Sequence, residues 1–500
     1  MGKYNAAEWL VDRNLDLGRG GRVAIRCQGE SFTYAQMQRE VFRAQHALVD
    51  RGIQPGDRVA MLVNDEPGFV AFFLGAMRSG AIPVPLSTML TGPDIAAIVD
   101  DSQASLLVAS AEHADRLADA RTPSGAITIG LDSWDIYDDR SDAPVADTDE
   151  SSPAFWLYSS GTTGSPKGVM HRHASLAATA DTYARTILAT SEHDRFLSVA
   201  KLFFAYGLGN SLTFPFAVGA TTILDPARPT PPGVLQLVAD EQPTLFFASP
   251  GFVAAILDAA PDPALFASVR ATVTAGESLP GDLHRRFAHG FGHDVLDGIG
   301  TTEALHIFLT NRINDQVAGS SGKPVAGYEA KLLDDMGAAV TEPDVPGYLH
   351  VRGPSIADGY WQRPKESAAS FLDGGWLRTG DVYTRSADGH WTFLGRNNDM
   401  IKAGGIWVSP AEVESVLIEH PDVLEAAVVG ARNEAGLEQT VAFVVARAGH
   451  TVDPVEIDRH CRSRIAAFKR PRRLFVVDEL PKTATGKIRR FELRDSLFTD

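Results

Sequence analysis

The stretch Tyr158–His171, YSSGTTGSPKGVMH, sets three glycines, a proline, a lysine and five Ser/Thr hydroxyls between apolar neighbours. Glycine lets backbone N–H groups turn inward around an anion, and hydroxyls add donors, so this is the composition of a phosphate-holding loop. A Walker A loop would read G-x-x-x-x-G-K-[ST] and open a helix. Here Lys167 stands between Pro166 and Gly168, and the GVMHRH that follows alternates like a short strand before helical residues begin near Ala174. The loop is therefore expected to join two strands. His171 and His173 are expected to decorate a strand edge.

Around this loop the chain is long enough for two or more domains, with 500 residues of which 44% are apolar. A formal charge of −17 argues against nucleic acid or an anionic membrane surface as the main partner. Cys27 and Cys461 lie far apart with no CxxC spacing, and read as reduced core thiols of a cytoplasmic protein. The N-terminal MGKYNAAEWLVDR lacks the apolar region of a signal peptide, and Ala6 stands where a myristoylation signal wants Ser or Thr. No apolar run approaches the ~18 residues of a membrane span. No His/Cys spacing suggests zinc.

RVAIRCQGESFTY reads as a hairpin turning at Gln28-Gly29-Glu30, and Met37, Val41, Ala44 and Leu48 follow helical spacing up to Gly52. DRVAMLV is a buried strand, PGFVAFFLGAMRSG a helix and AIPVPL another strand, a rhythm that recurs from TLFFASP to VTAGESL and predicts a mostly parallel α/β sheet. The texture changes after about Asp381. DGHWTFLGRNNDMIKAGGIWVSP reads as strand, turn, strand, followed by a helix over 410–419, strands AAVVGA and TVAFVVA, a helix over 453–467 and strand RLFVVD. These form a small C-terminal domain with its own apolar pattern.

Five motifs then occur in one order: YSSGTTGSPKG (158–168), DGIGTTE (297–303), GYW…GGWLRTGD (359–381), GRNNDMIKAGG (395–405) and PKTATGK (481–487). Singly, each has a bland reading as a solvated turn or surface loop. Together they resemble the adenylate-forming superfamily of acyl-CoA synthetases, carrier-protein adenylation domains and luciferases, over nearly the whole chain. The resemblance implies an α/β fold. Residues 1–396 would form a large N-terminal domain of stacked α/β sheets with a β-barrel-like part, and residues 397–500 a small mobile α+β C-terminal domain.

The resemblance also implies a two-step reaction. A carboxylate attacks the α-phosphate of ATP to give an acyl-adenylate and pyrophosphate, and a thiol then displaces AMP. Displacement at phosphorus rewards positioned donors and a metal more than covalent help. By resemblance, Ser159, Ser160, Gly161, Thr162, Thr163, Gly164 and Lys167 hold the β- and γ-phosphates. Thr302 donates to the α-phosphate and Glu303 anchors Mg²⁺. Asp381, supported by Arg396, accepts from the ribose hydroxyls, while Gly276, Glu277, Asp297 and Ile299 complete the nucleotide site. Lys487 reaches the attacking carboxylate and α-phosphate, Gly404-Gly405 line the tunnel for the pantetheine arm, and Lys469, Arg470, Arg472 and Arg473 face the phosphates of coenzyme A. Two positions depart from the family: Ile299 where an aromatic often stacks on adenine, and Asn398 where the hinge is usually Asp.

The segments KLFFAYGLGNSLTFPFAVGATTIL (201–224) and GIGTTEALHIFLTN (298–311) most resemble benzoate- and hydroxybenzoate-CoA ligases. Ala205, Tyr206, Gly300, His306 and Ile307 then stand at acid-pocket positions. Ala205 and Gly300 are expected to leave room for a flat ring, with Tyr206 and Ile307 on its faces. From Leu202 to Pro215 no residue is charged, whereas an amino-acid-activating domain would want a carboxylate for the substrate ammonium. The expected partner is a small aromatic carboxylic acid, with benzoate, salicylate and 4-hydroxybenzoate unseparated, no nucleic acid, no membrane, and a homodimer left open. A stand-alone aryl-adenylating enzyme that loads a carrier protein is the alternative, and a catalytically dead nucleotide-binding regulator is a third reading.

Overall fold

The structure, a computed structural model, describes residues 2–129, 140, 142–160, 166–403, 406–432, 438–482 and 488–497. Strands Val23–Cys27 and Glu30–Thr33 pair antiparallel across the expected Gln28-Gly29 turn. The helix Tyr34–Asp50 starts there because Thr33 and Gln36 form a capping box, each side chain bonding the other's backbone N–H. Its apolar face packs on the helix Pro67–Arg78, every residue of which is buried. Gly75 permits that approach, since a Cβ there would lie 2.9 Å from the Val41 carbonyl.

Two parallel sheets form the body of the chain. The smaller orders Ile82–Pro85, Arg58–Leu62, Ala104–Ser110 and Ala126–Ile129, all parallel. The larger has nine strands, parallel from Val23–Cys27 through Thr221–Leu224, Arg195–Ser198, Leu245–Ala248 and Ala271–Thr274 to Asp294–Gly300. It turns antiparallel at both edges, where Glu30–Thr33 and the pair Ile307–Thr310, Lys323–Pro324 are added. The expected barrel-like part takes the form of a six-stranded antiparallel sheet running from Glu329 to Arg396. No helix among the described residues is long and apolar enough to cross a membrane.

From Ile401 onward the chain builds a separate core. Strand Val423–Arg432 runs antiparallel to Glu438–Ala446, which pairs in parallel with Arg473–Val477. Alternation decides which face each side chain joins: Ala426 and Val428 pack with Val413, Leu417 and Ile457, while Ala427 and Val429 pack with Phe443, Leu480 and Leu493. The second helix is Pro454–Arg462, shorter than the expected 453–467. Ile465 and Phe468 supply the apolar spacing that suggested a longer helix, and reach the same core from the turns that follow. Cys27 and Cys461 are buried and free, as expected.

One carboxylate ties together the starts of three parallel strands. Asp194, Thr244 and Arg270 each immediately precede a strand, and Asp194 accepts from Thr244 Oγ1 at 2.7 Å and from Arg270 Nε and Nη2 at 2.9 and 3.2 Å. Burial alone would raise the Asp194 carboxyl, but the bonds from Arg270 and Thr244 outweigh it and leave it below the usual range. Replacing Arg270 by Met should cost roughly 3 kcal/mol, the lower end for stripping a buried carboxylate of its partner, since the guanidinium is partly wet. A carboxyl held low in the folded state stabilises above its unfolded pKa and ceases to do so as pH falls. The Arg270→Met deficit, read by urea unfolding, should therefore be full at pH 7 and shrink below pH ~4. A deficit independent of pH would contradict this account.

Candidate active site

Strands Pro153–Ser160 and Pro166–Arg172 form an antiparallel hairpin with Ser159 opposite Lys167, so the phosphate-type loop does join two strands. Gly161, Thr162, Thr163 and Gly164 lie outside the described residues, as do Gly404, Gly405 and Lys487. A third run of backbone stitches onto the hairpin: Met170 N–H bonds Gly359 O, Asp358 N–H bonds Met170 O and Trp361 N–H bonds Gly168 O at 2.8–3.0 Å. Gly359 adopts φ 142°, which a side chain would resist. Tyr360 from this run donates to Glu303 Oε1 at 2.8 Å, and the Lys167 ammonium sits 5.2 Å from the centre of its ring. Lys167 and Glu303, remote in sequence, thus share one tyrosine that motif reading had not singled out.

Thr302 and Glu303 occupy a short turn between strands Asp294–Gly300 and Ile307–Thr310, opened by Thr301, whose hydroxyl accepts from Ala304 N–H at 3.2 Å. Three successive carbonyls of the turn are each gripped from elsewhere. Thr302 O accepts from His171 Nε2 at 2.9 Å, Glu303 O from Ala357 N–H at 2.8 Å, and Ala304 O from Ser355 Oγ at 2.6 Å. His171 and His173 are therefore not at a strand edge. Both are fully buried, because the Thr302 turn and the N-terminal helix cover the hairpin there; His173 Nδ1 accepts Ala6 N–H at 3.1 Å. Burial pushes their imidazoles down to about 3 for His171 and about 4 for His173, so both are neutral and His171 Nε2 carries the proton it donates.

Of the residues expected at the nucleotide, Asp381 is 2% exposed and paired in register with Arg396, whose Nε lies 3.1 Å from Asp381 Oδ1. That carboxylate holds the guanidinium firmly charged. Asp297 is buried and accepts from Thr274 Oγ1 at 2.8 Å; burial pushes its carboxyl well up. Gly276 takes the left-handed φ of 97° at the end of strand Ala271–Thr274, beside exposed Glu277, and half-buried Ile299 pairs with Leu309. Among the described residues no three His, Cys, Asp or Glu side chains converge. A lone carboxylate such as Glu303 suits Mg²⁺, which is commonly held by one or two carboxylates plus substrate phosphates.

Of the residues expected at the acid, Ala205 and Tyr206 open the short helix Ala205–Leu208, which continues into a wider π-type turn over Gly209–Thr213. Tyr206 donates to Val273 O at 3.0 Å. His306 is enclosed by the rings of Phe214, Tyr183 and Tyr206 at 4.5, 5.1 and 5.6 Å, and its Nε2 meets Asn210 Oδ1 at 3.1 Å. Burial lowers this imidazole to about 3. Gly209 makes room for it, since a Cβ there would lie 2.4 Å from His306 Cδ2. Gly300 has a backbone reason of its own: its Cβ would strike His306 O at 2.5 Å, where the two strands pair antiparallel. Ile307 is 2% exposed and part of the main core. Leu202 N–H is anchored on the buried Asp65 at 3.0 Å.

In the C-terminal part, Asn398 is exposed in the turn after strand Trp391–Arg396. Lys469 is engaged by Glu412 at 2.6 Å, whereas Arg472 and Arg473 are exposed. The sequence reading missed Asn210, Gly209, Tyr183, Tyr360 and Ser355. The lone amide of Asn210 in an uncharged apolar run was the available signal for the first.

Lys167 on the hairpin, Glu303 joined to it through Tyr360, and a buried Asp381 paired with the more exposed Arg396 are the groups that the structure sets out here. Residues 14–361 match the family model of AMP-binding enzymes and residues 412–487 that of their C-terminal domain, and the chain belongs to this family, the adenylate-forming superfamily. Within it the chain is 44% identical to a benzoate–CoA ligase of Thauera aromatica (99% of this chain, 96% of the relative) and 39% identical to a 4-hydroxybenzoate–CoA/benzoate–CoA ligase of Rhodopseudomonas palustris (98% and 94%). The crystal structure of a benzoate CoA ligase from Burkholderia xenovorans superposes with a TM-score of 0.90 at 39% identity, covering 98% of this chain and 100% of that one.

Three of the buried histidines, His171, His173 and His306, have a consequence for stability. Each is held neutral when folded but takes a proton near pH 6.5 when unfolded, so the unfolded chain binds more protons and stability falls on acidification from pH ~6.5 towards 4, by up to ~1.4 kcal/mol per pH unit for each. His171→Asn removes one such group and should show a shallower decline of the unfolding midpoint with pH. Equal slopes would mean that His171 titrates normally.

Proposed function

We propose that the protein is an ATP-dependent, AMP-forming ligase that joins a small aromatic carboxylic acid, benzoate or a monohydroxybenzoate such as salicylate, to coenzyme A in the cytoplasm. The observation that carries the substrate is the uncharged wall from Leu202 to Pro215 facing a neutral, ring-enclosed His306, one short turn away from Thr302 and Glu303. A substrate ammonium would find no carboxylate in that wall. An aromatic ring loses nothing by entering it.

The residues then divide the work. Ser159 through Lys167 hold the β- and γ-phosphates, Thr302 donates at the α-phosphate, and Asp381, oriented by Arg396, accepts from the ribose. Mg²⁺ at Glu303 would neutralise phosphate charge. Lys487 stabilises the charge that builds at phosphorus as the carboxylate attacks. Residues 397–500 act as a unit hinged at Asn398. After pyrophosphate leaves, their rotation brings Gly404-Gly405 to the site and admits the coenzyme A thiol, with the basic residues near Arg472 and Arg473 meeting its phosphates.

Two measurements test this. Acid-dependent pyrophosphate release should favour benzoate or a hydroxybenzoate over hexanoate in kcat/KM by more than the ~200-fold that a methylene mismatch can give; a preference for hexanoate would refute the aryl pocket. Pyrophosphate release without coenzyme A-dependent AMP release would point instead to a carrier-loading enzyme. Lys487→Ala should slow adenylate formation by ~10²–10³-fold, the cost of one donor at a developing charge, and leave thioester formation from supplied aryl-adenylate far less affected. Equal losses in both half-reactions would exclude this role.

A further inference from the structure

Ser355 is fully buried and lies outside all five sequence motifs. Its single hydroxyl hydrogen goes to Ala304 O at 2.6 Å, so the Tyr328 phenol, 2.5 Å away, must be the donor to Ser355 Oγ. Gly353 makes room for that tyrosine, because a Cβ there would meet the ring at 2.1 Å. The same Ala304 carbonyl accepts His306 N–H at 2.8 Å, closing a three-residue γ-turn at Leu305 with φ 65° and ψ −38°. Such a turn is rare and strained for a residue with a side chain, and Leu305 is 2% exposed, so its surroundings impose it.

The position of this turn gives it a function. Thr302 and Glu303 stand immediately before it, and His306 and Ile307 immediately after. Its shape sets the spacing between the phosphate-facing pair and the acid-facing pair. His171 and Ala357 grip the two preceding carbonyls, and among the described residues only Ser355 reaches the carbonyl that closes the turn from outside the turn itself.

We propose that Ser355 is a positioning residue for adenylate formation: by holding the Ala304 carbonyl it keeps Leu305 in its strained turn and so fixes Thr302 and Glu303 against the acid pocket. This rests on the reading of Thr302 and Glu303 as the phosphate- and metal-facing groups. Without the serine hydroxyl, Ala304 O keeps only the His306 N–H, Tyr328 loses its acceptor, and the strain can relax through the backbone of Glu303 and Ala304.

The test is a double-mutant cycle on acid-dependent pyrophosphate formation, with Ser355→Ala, Leu305→Gly, the double variant, and Glu303→Gln alongside. Ser355→Ala should lower kcat on the order of 10-fold or more, short of the ~10²-fold that an ångström of misplacement can cost, with the KM for benzoate changed less than about threefold. Glycine adopts the positive φ without strain, so in the Leu305→Gly background the same serine replacement should cost at most about a third as much. An equal factor in both backgrounds, or a Ser355→Ala enzyme of full rate, overturns the proposal. If Ser355→Ala does not fold, Tyr328→Phe, which removes the donor to the serine and keeps the ring, replaces it in the cycle with the same two readings. Crippled Glu303→Gln beside an indifferent Ser355→Ala defeats the positioning role alone, whereas full activity in Glu303→Gln defeats the underlying site assignment and the proposal with it.

Discussion

The hydrogen bond from His171 Nε2 to Thr302 O joins two parts of the molecule that share no sheet. Strands Pro153–Ser160 and Pro166–Arg172 make a two-stranded sheet of their own, while Thr302 and Glu303 hang from the nine-stranded sheet, and this bond holds the two in register. A buried imidazole suits the task. Burial keeps it neutral, so it gives up a proton-bearing nitrogen to a carbonyl without placing a full charge beside Glu303. Phe155 stacks against the ring at 5.0 Å and fixes its plane. The stitching of Asp358–Trp361 onto the hairpin, and Tyr360 onto Glu303, then build on a distance already set.

The acid side follows a similar economy. Its polar groups are neutral and internally paired: His306 with Asn210, Tyr206 with Val273 O. The carboxylate that anchors this segment, Asp65, lies behind it and bonds the backbone of Leu202, and burial pushes it up to about 6. A segment assembled this way carries no charge from Leu202 to Pro215, yet its backbone is pinned. The π-type turn over Gly209–Thr213 is what swings Asn210 round to the histidine, an irregularity of the sort that helices keep near sites.

Much of this was legible in the chain itself. The parallel rhythm of strands and helices, the hairpin around Gln28-Gly29, the strand-to-strand nature of the phosphate loop and the separate C-terminal core all follow from local periodicity and turn chemistry, and local signals are what a sequence states directly. The misreadings share one cause. His171 and His173 alternate like edge residues, but alternation tells only that two side chains share a face; what covers that face comes from residues 6 and 302, far away in the chain. At Gly300 smallness was the visible property, whereas its close approach to His306 O depends on how two strands pair. Ser355 and Tyr360 could not be ranked at all, since a serine after Gly-Pro and a tyrosine after Gly are ordinary loop residues until their partners are known.

The C-terminal sheet has apolar clusters on both of its faces, each closed by its own helices. A unit wrapped in this way keeps both clusters covered by its own residues. Against the rest of the chain it sets a surface ion pair, Arg447 with Asp258, of a kind worth about a kcal/mol or less. A contact of that size is broken and remade at little cost, so by itself it does not hold the unit in place.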